Sequence, residues 1–184
     1  WSVGNREAFW SEFADFAGVR FKGSTTPVAS GADMLSTRWF PNATVNYAAH
    51  MLRPVPAPGA TSDDQADAIL FMNEVGRGAR YSRAQLRAEV SRARAALLRM
   101  GVKPRDRVAA FMPNIPETLI LMLATASIGA TWSSCSPDFG VRGVLDRFGQ
   151  IAPVVLLAAD GYFYSGKRFD IRDHAGQQFK LTET

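Results

Sequence analysis

The 184 residues are 47% hydrophobic and 21% charged, with a net charge of +4, an ordinary globular balance with enough apolar mass for one sizeable core. The single Cys135 excludes an internal disulfide framework and fits a reducing compartment, and His50 and His174 stand too far apart to form a metal-ligand cluster with it. The first residues are acidic and aromatic, without the basic end and apolar run of a secretory signal, so a cytoplasmic location is expected; a chain opening on Trp1 and not Met is expected to be a trimmed or partial polypeptide.

Asn5 is placed to cap a helix that carries Phe9, Trp10, Phe13 and Phe16 or Ala17 on one face and ends at Gly18. That aromatic stripe has helical spacing and reads as packing; a binding box is the alternative. Phe21 to Leu35 is rich in Gly, Ser, Thr and Ala and reads as an irregular crossing. In WFPNATVNYAAHML, Trp39 to Leu52, Pro41 and Asn42 make a turn, and Thr44 or Asn46 can cap a short helix with Tyr47, Met51 and Leu52 inward. Arg53 to Ala60 is a linker-like break, continued with acidic residues to Asp67. The organisation read here is an N-terminal helical and irregular extension, 1–67, followed by an α/β subdomain, 68–184.

Ala68 to Asn73 reads as a strand, Gly76 and Gly78 as a turn, and Ala79 to Tyr81 as the returning arm of a hairpin that could begin the main sheet. Ser82, with Gln85 at the capping-box position, starts the clearest amphipathic helix of the chain, its Leu86, Val90, Ala93, Leu97 and Met100 recurring until Gly101. Three apolar runs follow, Val108 to Met112, Ala130 to Ser134 and Val154 to Ala158, separated by helix-length segments. This is the sequence form of a parallel βαβαβ sheet with flanking helices, so the fold class is α/β. The first intervening helix, Pro116 to Ile128, has apolar residues almost all round, with Pro116 suited to its first turn and Gly129 to a left-handed C-cap. At about 1.5 Å per residue it reaches only about 20 Å, short of the roughly 30 Å of a bilayer core, so a protein interior must cover it. Asp138 can cap the second helix, Val141 to Gln150, and Pro153 breaks it. Asp160 to Thr184 is polar and weakly patterned.

Positive charge is concentrated between Arg77 and Arg107, where ten Lys and Arg residues meet only Glu89 and Asp106. Nucleic-acid binding is one reading, but only Tyr81 is available there to stack on bases, and a solvated basic face is the plainer one. Cys135 reads as a buried small hydrophobe, because no His lies near it in sequence to activate a nucleophile. In a parallel sheet, ligands are expected at the carboxyl ends of the strands, here Pro113 to Pro116, Cys135 to Gly140 and Asp160 to Arg168. The second leads a helix N-terminus, which suits an anion unless Asp138 uses the free N–H groups itself. The third, GYFYSGKR, sets Tyr162, Phe163 and Tyr164 beside Lys167 and Arg168, which suits a nucleotide or phosphorylated ligand or plain surface packing. Neither the GxxxxGK[ST] phosphate loop nor the GxGxxG dinucleotide fingerprint is present, the latter arguing against a nicotinamide oxidoreductase.

Together WFPNATVNYAAHML, GVKPRDRVAAFMPNIPETLILMLATASIGATWSSCSPDFG and AADGYFYSGKRFD resemble the N-terminal part of an acyl-CoA synthetase of the acyl-adenylate-forming superfamily. WFP, SCSPDFG and GYFYSGKRFD point within it to the acetoacetate-activating ligases. The resemblance is strong over Trp39 to Asp170 and fades beyond His174, leaving the last ten residues unassigned. It implies an AMP-forming ligase for which ATP, Mg²⁺ and coenzyme A are the cofactors and acetoacetate the substrate. The carboxylate attacks the α-phosphate of ATP to give an acyl-adenylate and pyrophosphate, and the coenzyme A thiol then displaces AMP. It implies no nucleic-acid partner and no membrane, and leaves the oligomeric state open. By the same resemblance, Tyr164, Lys167 and Arg168 lie where basic residues contact coenzyme A phosphates, and Ser136, Phe139 and Gly140 border the pantetheine tunnel. The phosphate loop, adenine- and ribose-binding motifs and catalytic Lys of that superfamily are absent from the sequence, so no catalytic or metal-binding residue is assigned and the chain alone is expected to be inactive. The competing reading is a free-standing α/β interaction or nucleic-acid-binding module built on the Arg-rich helix.

Overall fold

The computed structural model describes residues 1–54 and 63–172. Most of the predicted linker, together with His174 and the last ten residues, lies outside the described residues. The chain divides into two compact units, Trp1–Met51 and Leu52–Thr184.

The first unit opens with α1 (Arg6–Phe16). Asn5 stands at its N-cap, but its side chain makes no capping hydrogen bond. Two-residue strands follow, β1 (Lys22–Gly23), β2 (Ala29–Ser30), β3 (Arg38–Trp39) and β4 (Ala43–Thr44), with β1 antiparallel to β4 and β2 to β3. The expected irregular crossing thus holds two very short strands in an otherwise irregular segment. The unit closes with α2 (Tyr47–Met51), whose first turn is held by the Asn46 side chain accepting from the Ala49 N–H at 2.9 Å. Two packing expectations fail here. Tyr47 and Met51 are exposed, and the buried residue of α2 is Ala48. On α1 only Ala14 is buried, and the aromatic stripe is half open: Trp1, Phe9, Trp10, Phe13, Phe16 and Trp39 form a chain of ring contacts with centroids 5.2–6.3 Å apart. A unit of this size cannot cover a face that broad, so the rings pair with one another.

The second unit begins with a hairpin, β5 (Asp67–Asn73) against β6 (Gly76–Ser82). Its turn is Glu74–Val75, so Gly76 opens the second arm where a turn had been expected, at φ +133°. Gly78 lies within the arm because a Cβ there would come within 2.3 Å of the Phe71 ring. Register shifts at Asp67/Ile69 and Phe71/Met72 twist the ribbon, and it stands as its own two-stranded sheet instead of starting the parallel one.

Helix α3 (Arg83–Arg99) has the full capping box: Ser82 Oγ accepts from the Gln85 N–H and the Gln85 side chain accepts from the Ser82 N–H. It buries Leu86, Val90 and Leu97, leaves Met100 exposed at its C-cap, and packs on α4 (Pro116–Ile128). Helix α4 ends at Gly129 in the left-handed region, φ +83°. Ile120, Leu123, Ala124 and Ile128 are buried on it, whereas Glu117 and Leu119 are open, so its cover is one-sided within this chain.

The parallel sheet runs in the order β8–β7–β9, from β7 (Arg107–Phe111), β8 (Thr131–Cys135) and β9 (Val155–Ala158), with α4 between β7 and β8 and α5 (Val141–Phe148) between β8 and β9. This is the expected βαβαβ arrangement. Because β8 and β9 flank β7 on opposite sides, right-handed crossovers put α4 and α5 on opposite faces. Strand β7 is buried on both, Val108, Ala109, Ala110 and Phe111 all being inaccessible. Ala109 and Phe111 meet Val144 and Phe148 of α5, together with Cys135 and Ile171. The segment after β9 is more ordered than its polarity suggests: β10 (Gly161–Tyr164) and β11 (Lys167–Asp170) form a second antiparallel hairpin.

Candidate functional site

Three segments leave the carboxyl ends of the parallel strands, and the predicted site residues lie on two of them. At the end of β8 and just beyond it, Cys135 and Pro137 are buried, while Ser136, Asp138, Phe139 and Gly140 face solvent. The Ser136 carbonyl accepts from the Phe139 N–H at 3.2 Å, closing a turn that delivers Gly140 to the N-cap of α5. Asp138 does not cap that helix, and no side chain does. Gly140 has extended backbone and open space where a Cβ would stand, so steric need does not explain it. Phe139 lies under the Arg147 guanidinium, 4.5 Å from its ring centroid, a cation–π contact within α5 and its approach loop. Burial pushes the Cys135 thiol above its ordinary range, with Arg147 opposing weakly, which agrees with an inert apolar role.

The second segment is the β10–β11 hairpin. Its two-residue turn, Ser165–Gly166, has positive φ at both positions, 52° and 72°, as the twist of a tight hairpin demands. Pairing of Tyr164 with Lys167, Phe163 with Arg168 and Tyr162 with Phe169 fixes which side chains share a face. Tyr162, Tyr164, Lys167 and Phe169 are on one face, with the Tyr162 and Phe169 rings stacked at 5.2 Å. Arg168 is on the other with Phe163, its guanidinium 3.6 Å from Asp160. The predicted trio is therefore split, Tyr164 and Lys167 against Arg168, all three well exposed. Adjacency in sequence hid this because strand neighbours point to opposite sides. Tyr162 packs against the core around Phe111, which ties the hairpin to the sheet. Downstream, Arg172 forks onto Asp170 and draws its carboxyl down to about 2.

A residue that sequence reasoning missed also belongs here. Glu74, in the β5–β6 turn, accepts from the Ser165 N–H at 3.0 Å and the Gly166 N–H at 2.8 Å, one to each carboxylate oxygen. No local pattern signals a contact across 91 and 92 residues. The basic segment also changes character. Arg80, Arg83, Arg87 and Arg92 pair with Asp67, Asp63, Asp64 and Glu89 respectively, so the acidic run that read as linker neutralises part of the basic face. Among the described residues no group of His, Cys, Asp or Glu is arranged to hold a metal ion, and no helix is long and apolar enough to cross a membrane.

A parallel sheet with a ligand-type rim at its carboxyl ends fits a broad class of nucleotide-handling enzymes, and comparison with known proteins narrows it. Residues 60–182 match the AMP-binding enzyme family, and residues 1–51 match the acetyl-coenzyme A synthetase N-terminus; the chain belongs to the AMP-binding enzyme family. It is similar to the acetoacetyl-coenzyme A synthetase of Rhizobium meliloti (strain 1021), at 47% identity over 93% of this chain and 25% of that protein. The acetoacetyl-CoA synthetase of Rattus norvegicus is 39% identical over 91% of this chain and 24% of its own length. A malonamoyl-CoA synthetase of Penicillium aethiopicum is 36% identical, again over 91% of this chain and 23% of its own. Among solved structures, the acetoacetyl-CoA synthetase from Streptomyces lividans superposes with a TM-score of 0.89 at 42% identity, over 98% of this chain and 27% of that one. The chain spans about a quarter of the length of these relatives.

Proposed function

We propose that this chain is the N-terminal part of an AMP-forming acetoacetate–CoA ligase, in which the rim formed by Ser136, Phe139, Gly140, Tyr164, Lys167 and Arg168 serves coenzyme A. The observation that carries the reading is the similarity of nearly the whole chain to acetoacetyl-CoA synthetases, in sequence at 47% and in fold at a TM-score of 0.89. Acetoacetate is preferred over malonamate because the bacterial acetoacetyl-CoA synthetases, at 47% and 42% identity, stand nearer to this chain than the malonamoyl-CoA synthetase at 36%. The free-standing nucleic-acid module is disfavoured both by the family and by the ion pairs that occupy four of the arginines.

When bound, ATP with Mg²⁺ would supply the adenylyl group that activates a carboxylate, and coenzyme A the thiol that accepts the acyl group. The residues present here suit the second ligand. Lys167 is an exposed cation with the Tyr164 ring across the hairpin, a pair able to meet a phosphate and an adenine or ribose edge. Arg168, on the opposite face, would reach a different group, or only Asp160. The Ser136–Gly140 turn supplies a small, open surface along which a slender pantetheine arm can lie. The acid and metal groups of the chemistry belong to the rest of the ligase.

The test is steady-state kinetics of the full-length ligase. Lys167→Ala is expected to raise the KM for coenzyme A about tenfold, the effect of one charge-assisted contact, while ATP–pyrophosphate exchange with acetoacetate stays unchanged. Arg168→Ala should have a smaller effect, since its side chain points away from Lys167. An unaltered KM in the Lys167 variant would remove this hairpin from the site.

A further inference from the structure

Two hairpin tips, far apart in sequence, are clasped by one carboxylate. The Ser165–Gly166 turn has both φ angles positive, and its two amide N–H groups lie outside the β10–β11 ladder, forming a small concave nest of donors of the kind that holds anions. Glu74 fills it, an oxygen to each N–H, at 3.0 and 2.8 Å. Glu74 is itself held at the tip of a two-residue turn between Asn73 and Gly76, which the Asn73 side chain braces by accepting from the Val75 N–H at 3.1 Å. Lys167 follows the nest directly. The carboxylate therefore fixes where Lys167 leaves the turn and sets a negative charge beside the start of that strand.

We infer that Glu74 is a positioning residue for the coenzyme A rim: by clasping the Ser165–Gly166 turn it holds Lys167 and Tyr164 in the orientation that receives a phosphate. The inference rests on the reading of Lys167 given above. A two-residue turn on an exposed hairpin has little packing of its own, and here Tyr164, Lys167 and the turn residues are all open to solvent. Without the clasp, the tip would keep its ladder pairs but lose its tie to the β5–β6 hairpin, and an incoming phosphate would have to order it first. The clasp moves that ordering into the folded protein.

The experiment uses the full-length ligase with Glu74→Ala, Glu74→Gln, Lys167→Ala and the Glu74→Ala/Lys167→Ala pair. Glu74→Ala is expected to raise the KM for coenzyme A about three- to tenfold with pyrophosphate exchange unchanged, and Glu74→Gln, which keeps one acceptor oxygen, to fall between it and the parent. The pair should raise the KM by less than the product of the two single effects, because Glu74 acts in part through Lys167. Hydrogen exchange of the peptide covering 161–170 gives a readout independent of turnover: two amides, those of Ser165 and Gly166, should lose protection in Glu74→Ala. If Lys167→Ala raises the KM and Glu74→Ala does not, the positioning role is overturned and the coenzyme A reading stands. Retained protection of the two amides likewise overturns it. If Lys167→Ala leaves the KM unchanged, both fall together. Should Glu74→Ala misfold, the Glu74→Gln kinetics and exchange decide the matter in the same way.

Discussion

At the scale of single residues, environment decides what each functional group can do. Cys135 is 7% exposed at the end of β8, and desolvation raises its thiol pKa, so at neutral pH almost no thiolate forms. In the full-length protein a disulfide reagent should leave Cys135 unlabelled for hours under native conditions and label it at once in denaturant; rapid native labelling would contradict the packing role. Lys167 and Arg168 are both exposed neighbours that strand geometry places on opposite faces, and Glu74 gains its role only from a turn 91 residues away. Residue type was enough to mark the cations as candidates. It could not say which of them work together, because the face a strand residue takes depends on register.

At the scale of elements, local rules succeeded where the element carries its own ends. The Ser82–Gln85 capping box and the Gly129 left-handed cap form as their residues require, since each satisfies backbone groups within one turn. The prediction for α4 follows from its burial. Leu123, 4% exposed, is buried on a helix that packs on α3 and β8, so Leu123→Ala should cost about 2–5 kcal/mol by lost transfer energy and cavity, read as a lower denaturant midpoint of the full-length protein. Leu119 lies on the open side at 37% exposed, and within this chain its truncation has no cavity to create. A midpoint unmoved by Leu123→Ala would show that α4 is not part of the core. Asp138 and the Asn5 side chain show the opposite case: favourable cap residues that make no cap hydrogen bond, Asp138 because the turn after β8 puts Gly140 and not Asp138 at the N-cap of α5.

At the scale of the whole molecule, the chain presents a parallel sheet and, on the proposed function, a coenzyme A rim at its carboxyl ends. Its sequence contains no glycine-rich phosphate loop and its described residues no metal-ligand group. It spans about a quarter of its relatives' length. On the proposed function, the 184-residue polypeptide is expected to show no ATP–pyrophosphate exchange with acetoacetate above background and the full-length protein to show it; exchange by the short chain would overturn this. The open aromatic face of α1 and the exposed side of α4 agree with a chain that offers more apolar surface than it can cover by itself.

By itself the sequence determined the α/β class, the central βαβαβ order, the α3 and α4 boundaries and the loops at the strand ends, because periodicity, caps and turn residues act over a few positions. Only the tertiary structure decided that the first hairpin stands apart from the main sheet, that the acidic run after the linker pairs with part of the basic segment, and that Lys167 and Arg168 look in opposite directions. Nor could the sequence show that a carboxylate from one turn holds the backbone of another. These depend on register and on contacts between residues distant in the chain, which no local pattern of residue types encodes.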